Sequence, residues 1–347
     1  MIIKPRWCPL LIVSTLALAP ACSRESEPGS PSPAATPAAP ASAVVPPFAP
    51  TAPTPPVPIG SATAGAAAPT PAAAQRAAGD TLAPERVTVI ASLPGFRDIG
   101  GVATRDGAVV RRGLLYRSGQ LHRIPRADIE KLAALELVRD YDLRTEQERT
   151  ARPDELPAGV ELVALDVLAD ADEASTRTLS EIVRNPKRTT AHAGGNTGEA
   201  AALMEQTYRE LVTLPSARDA YGRLLRQVAE ENGTPALFHC SSGKDRGGWA
   251  AAALLTLLGV PEEEVMSDYL RSNDTALPAY RKMAEGFVAA GGEPGVFPAV
   301  MGVRPEYLKA ALDEVKQRHG SIEAYFADGL GIDAAGQNTL REKFLRR

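Results

Sequence analysis

One stretch constrains the fold more than any other, because it joins a short apolar run to an apolar helix through a loop that ends in arginine. The run at 237–240 ends in His239-Cys240, and Arg246 precedes the predicted helix 249–258. The backbone N–H groups of such a loop can curl around an anion, and the helix N-terminus adds positive potential beneath it. Both effects favour the thiolate form of Cys240, and Arg246 can bind two phosphoryl oxygens in a fork. The stretch therefore predicts a thiolate placed to attack a phosphate monoester.

Composition excludes several other classes of protein. The chain has 347 residues, is 44% hydrophobic and carries a net charge of -4, which suits a soluble domain and argues against a nucleic-acid partner. The three cysteines, Cys8, Cys22 and Cys240, show no disulfide framework, and the four histidines show no metal-ligand spacing. We therefore predict neither a metal nor another cofactor.

Residues 1–22 predict a secretory signal. Lys4 and Arg6 precede an apolar run at 10–19 that is too short to cross a bilayer. The segment before Cys22 resembles the lipobox of bacterial lipoproteins, although Ala19 stands where leucine is usual. Cys22 is thus either a lipidated anchor or an incidental residue of a plain cleaved signal. In both cases we expect an exported protein of the bacterial periplasm or cell envelope.

The rest of the chain divides by composition. Residues 23–84 are rich in proline and alanine and predict a disordered tether, whereas residues 85–347 are long enough for one α/β domain. Periodicity predicts strands at 87–92, 109–117, 137–143, 160–165 and before Cys240. It predicts a mobile loop at 170–198 and helices at 125–135, 199–212, 216–231, 249–258, 261–270, 277–290, 305–318, 321–326 and 337–345.

The loop sequence also resembles a known signature. His239-Cys-Ser-Ser-Gly-Lys-Asp-Arg246 resembles the signature of the cysteine-dependent tyrosine phosphatases, and its Gly-Lys-Asp-Arg is similar to the bacterial tyrosine/dual-specificity branch that includes phosphoinositide-accepting members. Segments that match the same branch lie at 96–101, 112–118, 142–144, 305–308 and 325–326. The resemblance implies a three-layer α/β fold with a central mixed sheet flanked by helices and a helical C-terminal segment. It places Cys240 at the C-terminal end of a central strand.

The resemblance also implies the reaction and the residues that carry it. Cys240 would form a phosphocysteine from phosphotyrosine, phosphoserine/threonine or a phosphoinositide, and His239 would orient the loop. Arg246 would bind the phosphate together with the loop residues Ser241, Ser242, Gly243, Lys244, Gly247 and Gly248.

Two aspartates are candidates for the general acid that protonates the leaving oxygen. Asp166 ends a predicted strand, and Asp245 lies inside the loop. Lys244 either adds a second positive charge at the pocket rim or is an ordinary surface lysine.

Further charged residues are expected to support the pocket rather than react. Arg97, Asp98, Asp142 and Arg144 end predicted strands or turns, and we predict that they form an internal salt-bridge network; Arg117 has the same status. The helical segment from Leu277 either covers the pocket as a lid or simply packs against the domain.

One position departs from the family pattern. After the arginine such phosphatases usually carry threonine or serine, whose hydroxyl stabilises the thiolate as it leaves the phosphocysteine, but here the residue is Gly247. This departure leaves a non-catalytic phosphate-binding protein as an alternative. A rhodanese-type sulfurtransferase is a further alternative, although its loop usually lacks the Cys-x5-Arg pair.

Overall fold

The computed structural model describes residues 90–171, 196–230 and 235–347, all of which belong to the second of the chain's two units, Ala77–Arg347. The predicted signal at 1–22, the tether at 23–84 and most of the predicted loop at 170–198 lie outside the described residues. None of the described helices combines the length and the apolar character needed to cross a membrane.

A five-stranded mixed sheet forms the centre of the domain, in the order β1-β3-β6-β4-β5. β1 is antiparallel to β3, and the remaining pairs are parallel. A separate two-stranded ribbon pairs β2 with β7. The strands are β1 Arg97–Asp98, β2 Val109–Val110, β3 Leu115–Ser118, β4 Arg139–Asp142, β5 Glu161–Ala164, β6 Ala236–His239 and β7 Leu345–Arg346.

Helices flank this sheet, as predicted. They are α1 Arg126–Ala133, α2 Glu146–Ala151, α3 Thr197–Thr213, α4 Pro215–Glu230, α5 Arg246–Leu257, α6 Glu262–Leu270, α7 Asn273–Ala289, α8 Val296–Met301, α9 Pro305–His319, α10 Ile322–Ala324 and α11 Ala334–Phe344. A π-helical turn, Tyr325–Gly329, follows α10.

Two apolar cores hold the central strand in place. Phe238 of β6 lies in the larger core with Trp249 of α5, whereas Leu237 points to the other face and packs with Leu132 of α1. Side chains alternate between the faces of a strand, so four buried residues anchor β6 on both sides. The strand before Cys240 is therefore central and buried on both faces, as the family resemblance implies.

Several predicted elements are corrected by the structure. The described part of the predicted strand 87–92 contains no strand, and the predicted strand 109–117 is split into β2 and β3. The split occurs because Gly113 has φ +76° and its N–H donates to Asp98 Oδ2 at 2.6 Å. Helix α7 begins at Asn273 rather than at 277. The Asn273 side chain donates to the Val303 carbonyl oxygen and accepts from the Val303 N–H.

Candidate active site

The thiol of Cys240 lies at the carboxyl end of β6, where the chain bends through residues 241–245 before α5 begins at Arg246. Cys240 is 1% exposed, and the N–H of Gly243 donates to its Sγ at 3.2 Å. Gly243 has φ +74°, and a Cβ at this position would lie 2.5 Å from the carbonyl oxygen of Ser118. The loop thus turns back over the sulfur because residue 243 is a glycine.

Arg246 is held by a carboxylate that the sequence analysis did not identify. Its guanidinium donates to Glu148 Oε2 at 2.7 Å and Oε1 at 2.9 Å, and to the carbonyl oxygen of Leu143 at 3.2 Å. The hydroxyl of Ser241 also donates to Glu148. Burial alone would raise the pKa of Glu148, but the hydrogen bonds and charge of Arg246 outweigh it and lower the pKa well below its usual range. An ionised Glu148 therefore orients the arginine fork beside the loop.

Glu148 could have been found from the sequence. Thr145 caps α2 through its side chain, and Glu148 completes a capping box by accepting from the Thr145 N–H at 2.9 Å. The Thr-x-x-Glu pattern is a sequence signal for such a box. It predicts the local contact of Glu148, whereas its contact with Arg246 arises only in the folded protein.

Lys244 is neither at the pocket rim nor an ordinary surface lysine, so both sequence-based alternatives are wrong. The residue is 3% exposed, and its Nζ donates to Asp245 Oδ2 at 2.7 Å and to the carbonyl oxygen of Val300 at 3.0 Å. The carboxylate of the next residue offers a charged acceptor, and the Val300 carbonyl oxygen of α8 offers a second acceptor. Lys244 therefore ties the loop to α8.

The two candidate acids occupy different places. Asp245 lies in the loop and accepts from the Tyr208 hydroxyl at 2.9 Å as well as from Lys244. Asp166 accepts from the backbone N–H of Glu146 at 3.1 Å and of Leu168 at 3.0 Å. Asp166 thus supports the start of α2, the helix that carries Glu148.

Buried ion pairs hold the backbone of the loop 241–245 through Arg117. Arg117 donates to the Gly243 carbonyl oxygen at 2.6 Å and to Asp268 Oδ2 at 3.2 Å, and Arg97 donates to Asp268 Oδ1 at 2.7 Å. Burial lowers the pKa of Arg117 to about 10, and the charge of Arg97 acts in the same direction. The predicted salt-bridge network is confirmed for both arginines, with Asp268 of α6 as a partner that no sequence signal identified.

A second network surrounds His239. Arg144 pairs with Asp142 Oδ2 at 2.7 Å, as predicted, and with Asp154 Oδ2 at 2.5 Å. Of the residues that the structure describes, one group could hold a metal ion on spacing alone: Asp140, Asp154 and His239, whose donor atoms all lie within 4.8 Å. The Arg144 guanidinium already occupies the Asp154 oxygen, so we assign no metal ligands here.

Comparison with known proteins gives a consistent result. Residues 89–346 match the tyrosine phosphatase family. The chain is 31% identical over 278 residues to the triple specificity protein phosphatase PtpB of Mycobacterium tuberculosis. This match covers 73% of this chain and 98% of that protein. It is 29% identical over 213 residues to a tyrosine-protein phosphatase of Nostoc commune. This match covers 60% of this chain and 66% of that protein.

Proposed function

This chain belongs to the tyrosine phosphatase family and is a phosphatase, and we propose that it acts through a phosphocysteine formed on Cys240. The observation that carries the proposal is the thiol held under the Gly243 N–H at 3.2 Å, on the loop that joins β6 to Arg246. The sulfur attacks phosphorus, and the bond from phosphorus to the leaving oxygen breaks as that oxygen takes a proton from an acid. Water then attacks phosphorus, the S–P bond breaks, and phosphate and the thiolate are released.

The loop and the arginine supply electrostatic stabilisation in both steps. Negative charge spreads over the phosphoryl oxygens in the transition state, where fixed N–H groups and the Arg246 fork stabilise it. Arg117 holds the Gly243 carbonyl oxygen, so that the Gly243 N–H stays directed into the loop. The Gly243 N–H is in place before substrate binds, which limits the reorganisation that the reaction requires.

Trapping the intermediate tests this proposal. Acid quench during turnover of p-nitrophenyl phosphate, followed by peptide mass spectrometry, should find one phosphoryl group on the peptide that contains Cys240. Peptides that contain Cys8 or Cys22, where the preparation retains them, serve as internal controls and should carry none. A protein that binds phosphate without turnover would show affinity but no intermediate and no released phosphate, and that result would reject the proposal.

We propose a broad range of substrates: phosphotyrosine, phosphoserine/threonine and phosphoinositides. The similarity to a relative named a triple specificity protein phosphatase supports a wide range. A phosphate-release panel of phosphopeptides, phosphoinositides and inositol phosphates measures the preference. Release from phosphotyrosine peptides alone would contradict the broad range.

Gly247 provides a prediction about the second step. A Cβ at this position would lie 3.7 Å from the ring of Phe238, an ordinary contact, so that a larger side chain fits at its first atom. Replacing Gly247 with threonine should speed phosphocysteine hydrolysis about tenfold, because a hydroxyl hydrogen bond of ~1.4 kcal/mol would stabilise the leaving thiolate. Burst kinetics separate this step from phosphorylation of the enzyme.

The matched control is Gly247→Val, which has the shape of threonine without the hydroxyl. It should leave the second step unchanged or slower. Equal rates in Gly247→Thr and Gly247→Val would show that the hydroxyl contributes nothing at this position.

We also propose that the protein is exported and anchored through a lipidated Cys22. The basic start, the apolar run at 10–19 and the position of Cys22 support this proposal, and these residues lie outside those described. The mass of the mature N-terminal peptide distinguishes a lipidated Cys22 from a plain cleaved signal.

A further inference from the structure

The ring of His239 is fully buried and its two nitrogens face oxygen atoms. Nε2 lies 3.2 Å from Asp140 Oδ2 and 3.3 Å from Asp154 Oδ2, and Nδ1 lies 3.4 Å from the carbonyl oxygen of Cys240. Carboxylate and carbonyl oxygens accept hydrogen bonds. A neutral imidazole carries a proton on only one nitrogen, so its other lone pair would face an oxygen. The geometry therefore fits the doubly protonated ring.

Asp140 has no other evident role in the site. It lies in β4, between β6 and β5 of the central sheet, and is 0% exposed. Aspartate is otherwise depleted in strands. Within the described part of the chain, neither its carboxylate oxygens nor Nε2 of His239 has a hydrogen-bond partner of ordinary geometry, so the contact between the two groups is a close approach of charges. A buried carboxylate without compensation is costly. Burial raises the pKa of Asp140, and the charge of the neighbouring His239 ring acts against that rise and so provides the compensation.

The surrounding charges act in the same direction. Burial alone would lower the pKa of His239, but Asp140 and then Asp154 and Asp142 raise it well above the usual value. Asp142 Oδ1 lies 3.8 Å from Nε2, and Arg144 bridges Asp142 and Asp154. Three carboxylates thus face one guanidinium and one imidazole, an arrangement that favours the charged ring.

We propose that Asp140 and Asp154 are positioning residues for the phosphatase reaction. They hold the charged ring of His239 against the Cys240 carbonyl, and so fix the backbone where the loop begins. Loss of either ring proton would leave a lone pair facing an oxygen and would loosen this attachment. The inference rests on the proposed function for its kinetic consequence, but the state of the ring can be measured independently.

The first experiment reads the ring directly. In ¹⁵N-histidine-labelled protein, the two ring nitrogens of His239, assigned by their loss in His239→Gln, should both remain protonated from pH 5 to above pH 7.5. In Asp140→Asn, loss of the ring proton should move to lower pH by at least about one unit, as expected for removal of an opposite charge within hydrogen-bond distance. A singly protonated ring in the wild type at pH 7 would overturn the proposal, whether or not the variant folds.

The second experiment follows kcat/KM on p-nitrophenyl phosphate as the ratio of variant to wild type, which cancels the titration of the substrate. Because a raised pKa means that the proton is present at low pH and lost on the alkaline side, the ratio for Asp140→Asn should be near one at pH 5.5. It should fall about tenfold at pH 8. A ratio equally low at every pH would indicate a merely structural role and would overturn the proposal.

Asp128→Asn is the matched control. Asp128 is another buried aspartate, and it lies in α1. It accepts hydrogen bonds from the Lys131 ammonium group and from the backbone N–H of Ser92. Its ratio should not depend on pH. One equivalent of bound metal per chain that disappears in Asp140→Asn would also overturn the proposal, in favour of a metal centre. Absence of phosphate release from the wild type, with the ring charged as expected, would reject the proposed function alone.

Discussion

Cys240→Ser is expected to lower kcat/KM for p-nitrophenyl phosphate by at least about 10⁴-fold, the scale of effect seen when an enzyme loses its nucleophile. A serine hydroxyl is not ionised at neutral pH and needs a neighbouring base. His239 cannot provide that base, because its ring nitrogens face Asp140, Asp154 and the residue 240 carbonyl. His239 therefore offers no compensating base for a serine at position 240.

The loss should be confined to chemistry. Serine is only slightly smaller than cysteine, and the variant keeps the phosphate-binding donors, which are the Gly243 N–H and the Arg246 guanidinium. The variant should bind inorganic phosphate with nearly the wild-type affinity, and bound phosphate should raise its unfolding temperature as it does in the wild type. Equal phosphate release by Cys240→Ser and the wild type would contradict covalent catalysis.

The loop and the helix after it could be predicted because their signals are local. An apolar run, a glycine-containing loop and an alanine- and leucine-rich helix follow one another within about 20 residues, and this order fixes β6, Cys240 and α5. The same reasoning failed at α8, which the sequence analysis did not predict. Helix α8 is only six residues long and is followed at once by Gly302, so its sequence contains less than two turns of periodicity.

The contacts within the site were harder to predict because they join distant segments. Lys244 has a partner next in sequence, Asp245, but its other hydrogen-bond acceptor is the Val300 carbonyl oxygen, 56 residues away. Asp268 lies in α6, and Asp154 lies in the connection between α2 and β5. A lone aspartate in a polar segment resembles any solvated residue. Charge and residue type alone do not reveal which carboxylates become buried partners.

Gly243→Ala is the second change for which a large loss is expected. The new Cβ would lie 2.5 Å from the Ser118 carbonyl oxygen and 2.7 Å from the Gly119 nitrogen, and φ +74° is itself unfavourable for alanine. The loop must move, which takes the residue 243 N–H away from Cys240 Sγ. We expect kcat/KM to fall about 10²- to 10³-fold, as for the loss of one preorganised donor, with weaker vanadate binding.

Gly107→Ala separates the clash from the backbone strain. Gly107 has φ +86°, and a Cβ there would have no atom within 4 Å, so alanine incurs the conformational cost alone. This control should lose about 1–2 kcal/mol of stability and keep its activity. Cys240, Arg246 and Glu148 are unchanged in both variants, so a selective loss in Gly243→Ala must come from the shape of the loop. If Gly243→Ala lowers kcat/KM no more than Gly107→Ala does, the close approach of residue 243 to Ser118 does not control catalysis.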